Sequence, residues 1–168
     1  MKVLIKSDNI ITLYLNKYHD RKRNLSSKDN LEIYFKELFQ QLKDQYEIEI
    51  NGYYNIDIYE DQHYGTIINI EKEEMDYFDY FDNQIDMQIN IQTNVTFLYQ
   101  IEDILTIPKE IKDKIEIYHY LDNFYLKIIK PISNIELGRL LEISNLKYGP
   151  KNKNILKLGK LISLTSNQ

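Results

Sequence analysis

Between Lys114 and Lys130 two runs of alternating apolar and polar residues meet at Asp122-Asn123, a pattern that predicts a β-hairpin. A two-residue primed turn at Asp122-Asn123 would pair Leu121 with Phe124, His119 with Leu126 and Ile117 with Ile128 on one face. The other face would carry Tyr118 opposite Lys127 and Tyr120 opposite Tyr125. After Pro131, Ser133 and Glu136 have capping-box spacing, which predicts a helix running to about Tyr148, where Gly149 and Pro150 stop it.

The same rhythms organise the rest of the chain. MKVLI and Ile10 to Leu15, separated by Ser7-Asp8-Asn9, read as a first hairpin. A basic loop follows from Asn16 to Ser27. Asp29 and Glu32 suit a capped helix start, and Leu31, Tyr34, Phe35, Leu38, Leu42 and Tyr46 then recur at helical intervals. Beyond Asn51-Gly52, Tyr54, Ile56 and Ile58 alternate, and after Gly65 so do Ile68 and Ile70, which predicts a second hairpin. Met87, Ile89 and Ile91 mark another strand. From Asn94 to Leu105 two readings compete: a helix capped by Asn94 with Leu98, Ile101 and Leu105 on one side, or a strand over VTFLY. The helix is the reading adopted. Ile155 to Ile162 forms a short closing element, helix or strand.

These elements predict an α+β protein of two small domains, each a mostly antiparallel sheet with one or two packed helices. The first spans residues 1 to 72. Acidic and aromatic residues interleave in EKEEMDYFDYFDNQ, so residues 73 to 85 are read as an acidic Tyr/Phe-rich linker, and the second domain spans 86 to 168. A composition 43% hydrophobic supplies enough apolar surface for either one core or two.

Charge and residue usage narrow the function classes. A net charge of −5 opposes a nucleic-acid partner, because phosphate binding draws on clustered Lys and Arg. The basic cluster Lys17, Arg21, Lys22 and Arg23 is a local exception, suited to an acidic partner or to solvating its loop. No apolar run is long enough for a membrane span, and the charged residues soon after the start argue against a secretory signal. A cytoplasmic protein is expected. The absence of cysteine excludes disulfides and thiol catalysis. An AT-rich coding sequence accounts for the 15 tyrosines and the lack of alanine.

Candidate chemistry is sparse. The histidines at 19, 63 and 119 do not have metal-ligand spacing, and Asp61-x-His63 beside Glu60 would be at most a weak loop site. No glycine-rich phosphate loop and no nucleophile elbow is present. The expectation is a non-enzymatic protein without cofactor or metal. Its contact surface would be the outward face of the 114–130 hairpin: Glu116, Tyr118, Tyr120, Tyr125 and Lys127, extended by Glu136 and Glu142 on the following helix.

Several segments resemble the MecA family of bacterial adaptor proteins. They include MKVLIKSDNIITLYL, the helix ending in KELFQQL, the run GYYNIDIYEDQHYGTIINIEK, IEDIL, the hairpin IYHYLDNFYLKI, the helix with ELGRLLEI, and LKLGKLI. The resemblance implies an amino-terminal domain that recognises client proteins, such as a competence transcription factor. It implies a carboxy-terminal domain that grips a Clp-type AAA+ unfoldase and favours its assembly, so that the protein regulates proteolysis. The family's interdomain connection is long and acidic, and this chain's is short. Two rival readings are a stand-alone regulator that sequesters a transcription factor, and a small enzyme built on scattered carboxylates.

Overall fold

In a computed structural model the described residues are 2–7, 9–16, 28–47, 52–73, 85–92 and 95–162. The basic loop, most of the acidic aromatic connection, and the Asp8, Asn51 and Asn94 positions invoked above lie outside them. The fold is α+β, with two five-stranded sheets. Two compact units divide the chain: residues 1–58 with 66–91, and residues 59–65 with 92–168.

In the first unit β1 (Lys2–Ser7) and β2 (Ile10–Asn16) form the expected hairpin, antiparallel, with Leu4 opposite Thr12 and Ser7 opposite Ile10. Helix α1 (Lys28–Tyr46) follows, then β3 (Gly52–Asp61), β4 (Gly65–Lys72) and β5 (Ile85–Gln92). The sheet order is β1-β2-β4-β3-β5. Leu31, Phe35, Leu38, Phe39 and Leu42 form one stripe of α1, and it covers Leu13 on β2, Ile56 on β3 and Ile68 on β4 in a single core. Tyr46, expected on that stripe, is exposed.

β5 corrects the expected domain boundary: the pattern assigns it to the second domain, and the structure places it in the first unit. It lies beside β3 in the first sheet, where Tyr53 Oη donates to Gln88 Oε1 at 3.3 Å and Asn90 Nδ2 donates to Asp57 Oδ1 at 3.3 Å. Met87 and Ile89 pack against the first core. Alternation marks a strand but does not name the sheet that receives it.

The second unit contains β6 (Leu98–Ile101), β7 (Ile115–Tyr120), β8 (Asn123–Ile128), β9 (Asn145–Lys147) and β10 (Lys160–Ile162), with α2 (Asn134–Ile143) and α3 (Asn152–Leu158). The order is β10-β7-β8-β6-β9, and every neighbouring pair is antiparallel. The helix expected from Asn94 is instead the strand β6. Phe97, Leu98, Tyr99 and Ile101 are all buried, and a strand buried on both faces loses the alternation that would have identified it. The ends of α2 differ in their agreement with expectation. Ser133 and Glu136 make the full capping box, but the helix stops at Ile143 and not near Tyr148. Ser144 Oγ bonds back to the Leu140 carbonyl at 2.5 Å, and the chain then leaves the helix to pair Leu146 with Tyr99 on the sheet edge. The closing segment is both helix and strand, α3 and β10, joined at Gly159.

The 114–130 hairpin forms, with its turn one residue earlier than expected. Leu121 and Asp122 are the turn residues, at φ 46° and 60°, the paired positive values of a primed two-residue turn. Asn123 is drawn into β8, where its Nδ2 donates to the Leu121 carbonyl at 2.7 Å and its Oδ1 accepts from Gln100 Nε2 at 2.6 Å. The observed partners are therefore His119 with Phe124, Ile117 with Leu126 and Ile115 with Ile128. A slip of two residues keeps every side chain on its expected face while changing every partner.

Two glycines of the second unit give opposite expectations. A Cβ on Gly159 would lie 2.5 Å from the Ile155 carbonyl oxygen, while one on Gly138, inside α2, meets nothing within 4 Å. Gly159→Ala should lower stability by about 1–3 kcal/mol through forced backbone displacement. Gly138→Ala should raise it by about 0.4–1 kcal/mol through the lost freedom of the unfolded chain. Urea unfolding of the two variants beside the parent checks both signs.

Candidate functional site

Seven residues were expected to form one contact surface, and the second unit separates them. Strand alternation puts Glu116, Tyr118 and Tyr120 of β7 and Tyr125 and Lys127 of β8 on the same sheet face, as expected. That face is not open. Helix α3 lies over it, and Leu98, Tyr125 and Ile155 form a small core with Tyr118, Tyr120 and Leu156 around it. Tyr125 is only 9% exposed, while Glu116, Tyr118, Tyr120 and Lys127 are half-buried. The expected solvated face is a second packed face because the closing segment, whose type its own pattern left open, turns back over the hairpin as α3.

Glu136 and Glu142 do not extend this surface. They belong to α2, whose Leu137, Leu140 and Leu141 cover the opposite face through Ile117, Leu126 and Ile128. The apolar stripe of α2 dictates that side, since the face bearing Ile117 and Leu126 would otherwise remain in water. Glu142 is exposed, and Glu136 is occupied structurally. One carboxylate oxygen of Glu136 accepts from Lys114 Nζ at 2.7 Å, and the other accepts the Ser133 N–H at 2.7 Å. These bonds, that of Lys114 first, hold its carboxyl down at about 2.

On the α3 face Glu116 organises the polar groups. Its Oε2 accepts the Tyr118 hydroxyl at 2.8 Å and lies 3.6 Å from Lys127 Nζ, an ion pair across the β7–β8 ladder. Burial, followed by the Glu116 bond, raises the Tyr118 phenol above its ordinary range. The closing segment exposes two apolar residues that the alternation pattern did not single out. Leu161 sits directly opposite Tyr118 in the β10–β7 pairing and is 54% exposed, and Leu158 at the end of α3 is 65% exposed. The pairing of β10 with β7 is the signal that identifies them, and it is a tertiary one. The hairpin tip adds Leu121, 73% exposed at its positive φ. Tyr118, Leu158 and Leu161, with Glu116 and Lys127 near them, have the composition of a protein-contact patch.

The Glu60–His63 loop is organised by one of its own carboxylates. Asp61 Oδ1 accepts the backbone N–H groups of His63 and Tyr64, both at 2.8 Å, so this carboxylate closes the β3–β4 turn. Among the described residues no three His, Cys, Asp or Glu side chains converge as metal ligands. Among the same residues no helix is long and apolar enough to cross a membrane.

Glu136 predicts a pH dependence. Its folded pKa lies below the unfolded value of about 4.3, so its contribution is present above that value and is lost as pH falls toward about 2. Glu136→Gln keeps a capping-box side chain but loses the charge beside Lys114. The expected result is a variant less stable than the parent at pH 7 whose urea midpoint converges with the parent's as pH falls through this window.

No known protein family model, curated protein or solved structure matches this chain, so its functional reading rests on its own residues.

Proposed function

We propose that this chain is a non-enzymatic, cytoplasmic adaptor that binds a client protein and a Clp-type AAA+ unfoldase, favours the unfoldase's assembly, and thereby regulates the client's proteolysis. The resemblance to the MecA family suggests the partner classes. The observation that carries the reading is the exposed Leu161 directly opposite Tyr118, which bonds to the Glu116 of the Glu116–Lys127 ion pair, with Leu158 exposed three residues earlier at the end of α3. An apolar centre with a charged rim suits docking on a large protein surface and provides no bond chemistry. The first unit has a core of its own, separate from that of the second, which suits a client grip distinct from the unfoldase grip. Glu116, Tyr118 and Lys127 remain in the proposed surface. Tyr120 and Tyr125 support it from beneath, and Glu136 and Glu142 are left out.

The intact chain used as bait in a cytoplasmic extract should recover a AAA+ unfoldase. The purified pair should show raised ATPase activity and faster degradation of a bound client. Tyr118→Ala or Leu161→Glu should weaken unfoldase binding by about tenfold, the ~1.4 kcal/mol expected of one good anchor. Both variants should keep the parent's circular dichroism spectrum, which separates lost binding from lost folding. A client that binds but is never degraded faster, with no unfoldase recovered, would replace this reading with simple sequestration.

A further inference from the structure

The tip of the β3–β4 hairpin, residues 59–65, belongs to the second unit. It helps to enclose a cleft of about 480 Å³ lined by Glu60, Asp61, His63, Phe97, Tyr99 and Lys127 among others. That volume lies within the range of small-ligand sites. We infer that this cleft binds a guanidinium group, through Asp61, the Tyr99 hydroxyl and the Phe97 ring. The inference goes beyond the adaptor reading and stands or falls separately from it.

Tyr99 carries the first part of the case. Tyr99 is 1% exposed and is one of the residues that line the cleft, and among the described residues its buried hydroxyl has no hydrogen-bond partner. Buried polar groups are nearly always paired, so a hydroxyl left this way marks a place where something else completes the bond. The phenol keeps its proton, held above its ordinary range by burial first, then by the Asp61 charge and by Tyr64. It therefore offers both a donor and lone pairs to a ligand.

The charge of the lining sets the ligand's sign. Glu60 and Asp61 bring two carboxylates, and the ammonium of Lys127 is offset by Glu116 at 3.6 Å. Asp61 is held in place, because its Oδ1 accepts two backbone N–H groups of the turn, and a carboxylate so anchored loses little freedom on binding. Phe97 is itself fixed by ring contacts with Tyr64 at 5.8 Å and Tyr148 at 6.0 Å between centroids. A fixed aromatic ring beside one anchored carboxylate and a second acidic residue favours a cation. A guanidinium fits better than an ammonium, since it is planar, stacks on a ring, is less strongly hydrated, and has donors enough for a carboxylate and a phenol together. The group could belong to a free guanidino compound or to an arginine of a protein segment.

The test titrates the isotopically labelled full chain with capped arginine, capped lysine and capped citrulline, the last being the neutral isostere. Capped arginine should shift the amides of residues 60–63 and 96–99, and capped citrulline should bind about tenfold more weakly for want of charge-assisted bonds. Asp61→Asn preserves an acceptor for the turn, so it should keep the fold and weaken arginine binding by a similar factor. Tyr99→Phe should weaken binding and at the same time raise the melting temperature, because it removes an unpaired buried hydroxyl. A short peptide with one arginine that binds more tightly than the capped amino acid would identify a protein segment as the source. Equal affinity would identify a free compound, and either result supports the site. Equal binding of arginine and citrulline, equal or tighter binding of lysine, or a lowered melting temperature in Tyr99→Phe would overturn the inference.

Discussion

The second unit depends on the register of the β7–β8 ladder, set where Tyr120 pairs with Asn123 across the Leu121-Asp122 turn. β10 adds to the free edge of β7 and β6 to that of β8, so each inherits its position from this one alignment. Leu161 faces Tyr118, and Tyr99 faces Leu126, because Tyr118 already faces Tyr125 and Leu126 already faces Ile117. The turn holds leucine at a left-handed φ, a conformation that residues with a Cβ adopt at a cost. Pairing offsets that cost. The adopted register places Glu116 opposite Lys127 and brings the His119 and Phe124 rings together, tilted, at 5.1 Å, and Asn123 gains a bond to Gln100 on β6.

A sheet built outward from that hairpin has two apolar faces to cover. One contains Ile115, Ile117, Leu126 and Ile128 and receives α2, and the other contains Leu98 and Tyr125 and receives α3. Covering both faces with only two short helices leaves an edge. Leu158 and Leu161 are what α3 and β10 expose there, and the half-buried Tyr118 links them to the packed interior. A contact patch supported from behind by a core is stiff, so little entropy is lost when a partner docks. Buried Asn152 reinforces the same corner. Its Nδ2 donates to the carbonyls of Thr96 at 2.7 Å and Lys147 at 2.9 Å, tying the start of α3 to the approaches of β6 and to the end of β9.

Tyr99 illustrates the opposite tendency within the same sheet. Tyr99 belongs to the core on the α2 face and also lines the cleft, and among the described residues its buried hydroxyl is without a partner. A phenylalanine would fill the same space without burying an unpaired polar atom, so the hydroxyl adds nothing to the stability of that core.

How much of this was legible in the chain follows from the range of the interactions involved. The α+β class, the first hairpin, the apolar stripe of α1, the Ser133–Glu136 capping box and the face assignments of Tyr118 and Tyr125 rest on contacts within a few residues, and local periodicity records those directly. The strand β6 was hidden because burial on both faces erases alternation. The sheet that receives β5, the early end of α2, the placement of α3 over the tyrosine face and the convergence of Asp61 with Tyr99 depend on segments distant in the chain. Side-chain rhythm says which face of an element is apolar. Only packing decides what covers that face, and therefore which residues are left for a partner or a ligand to meet.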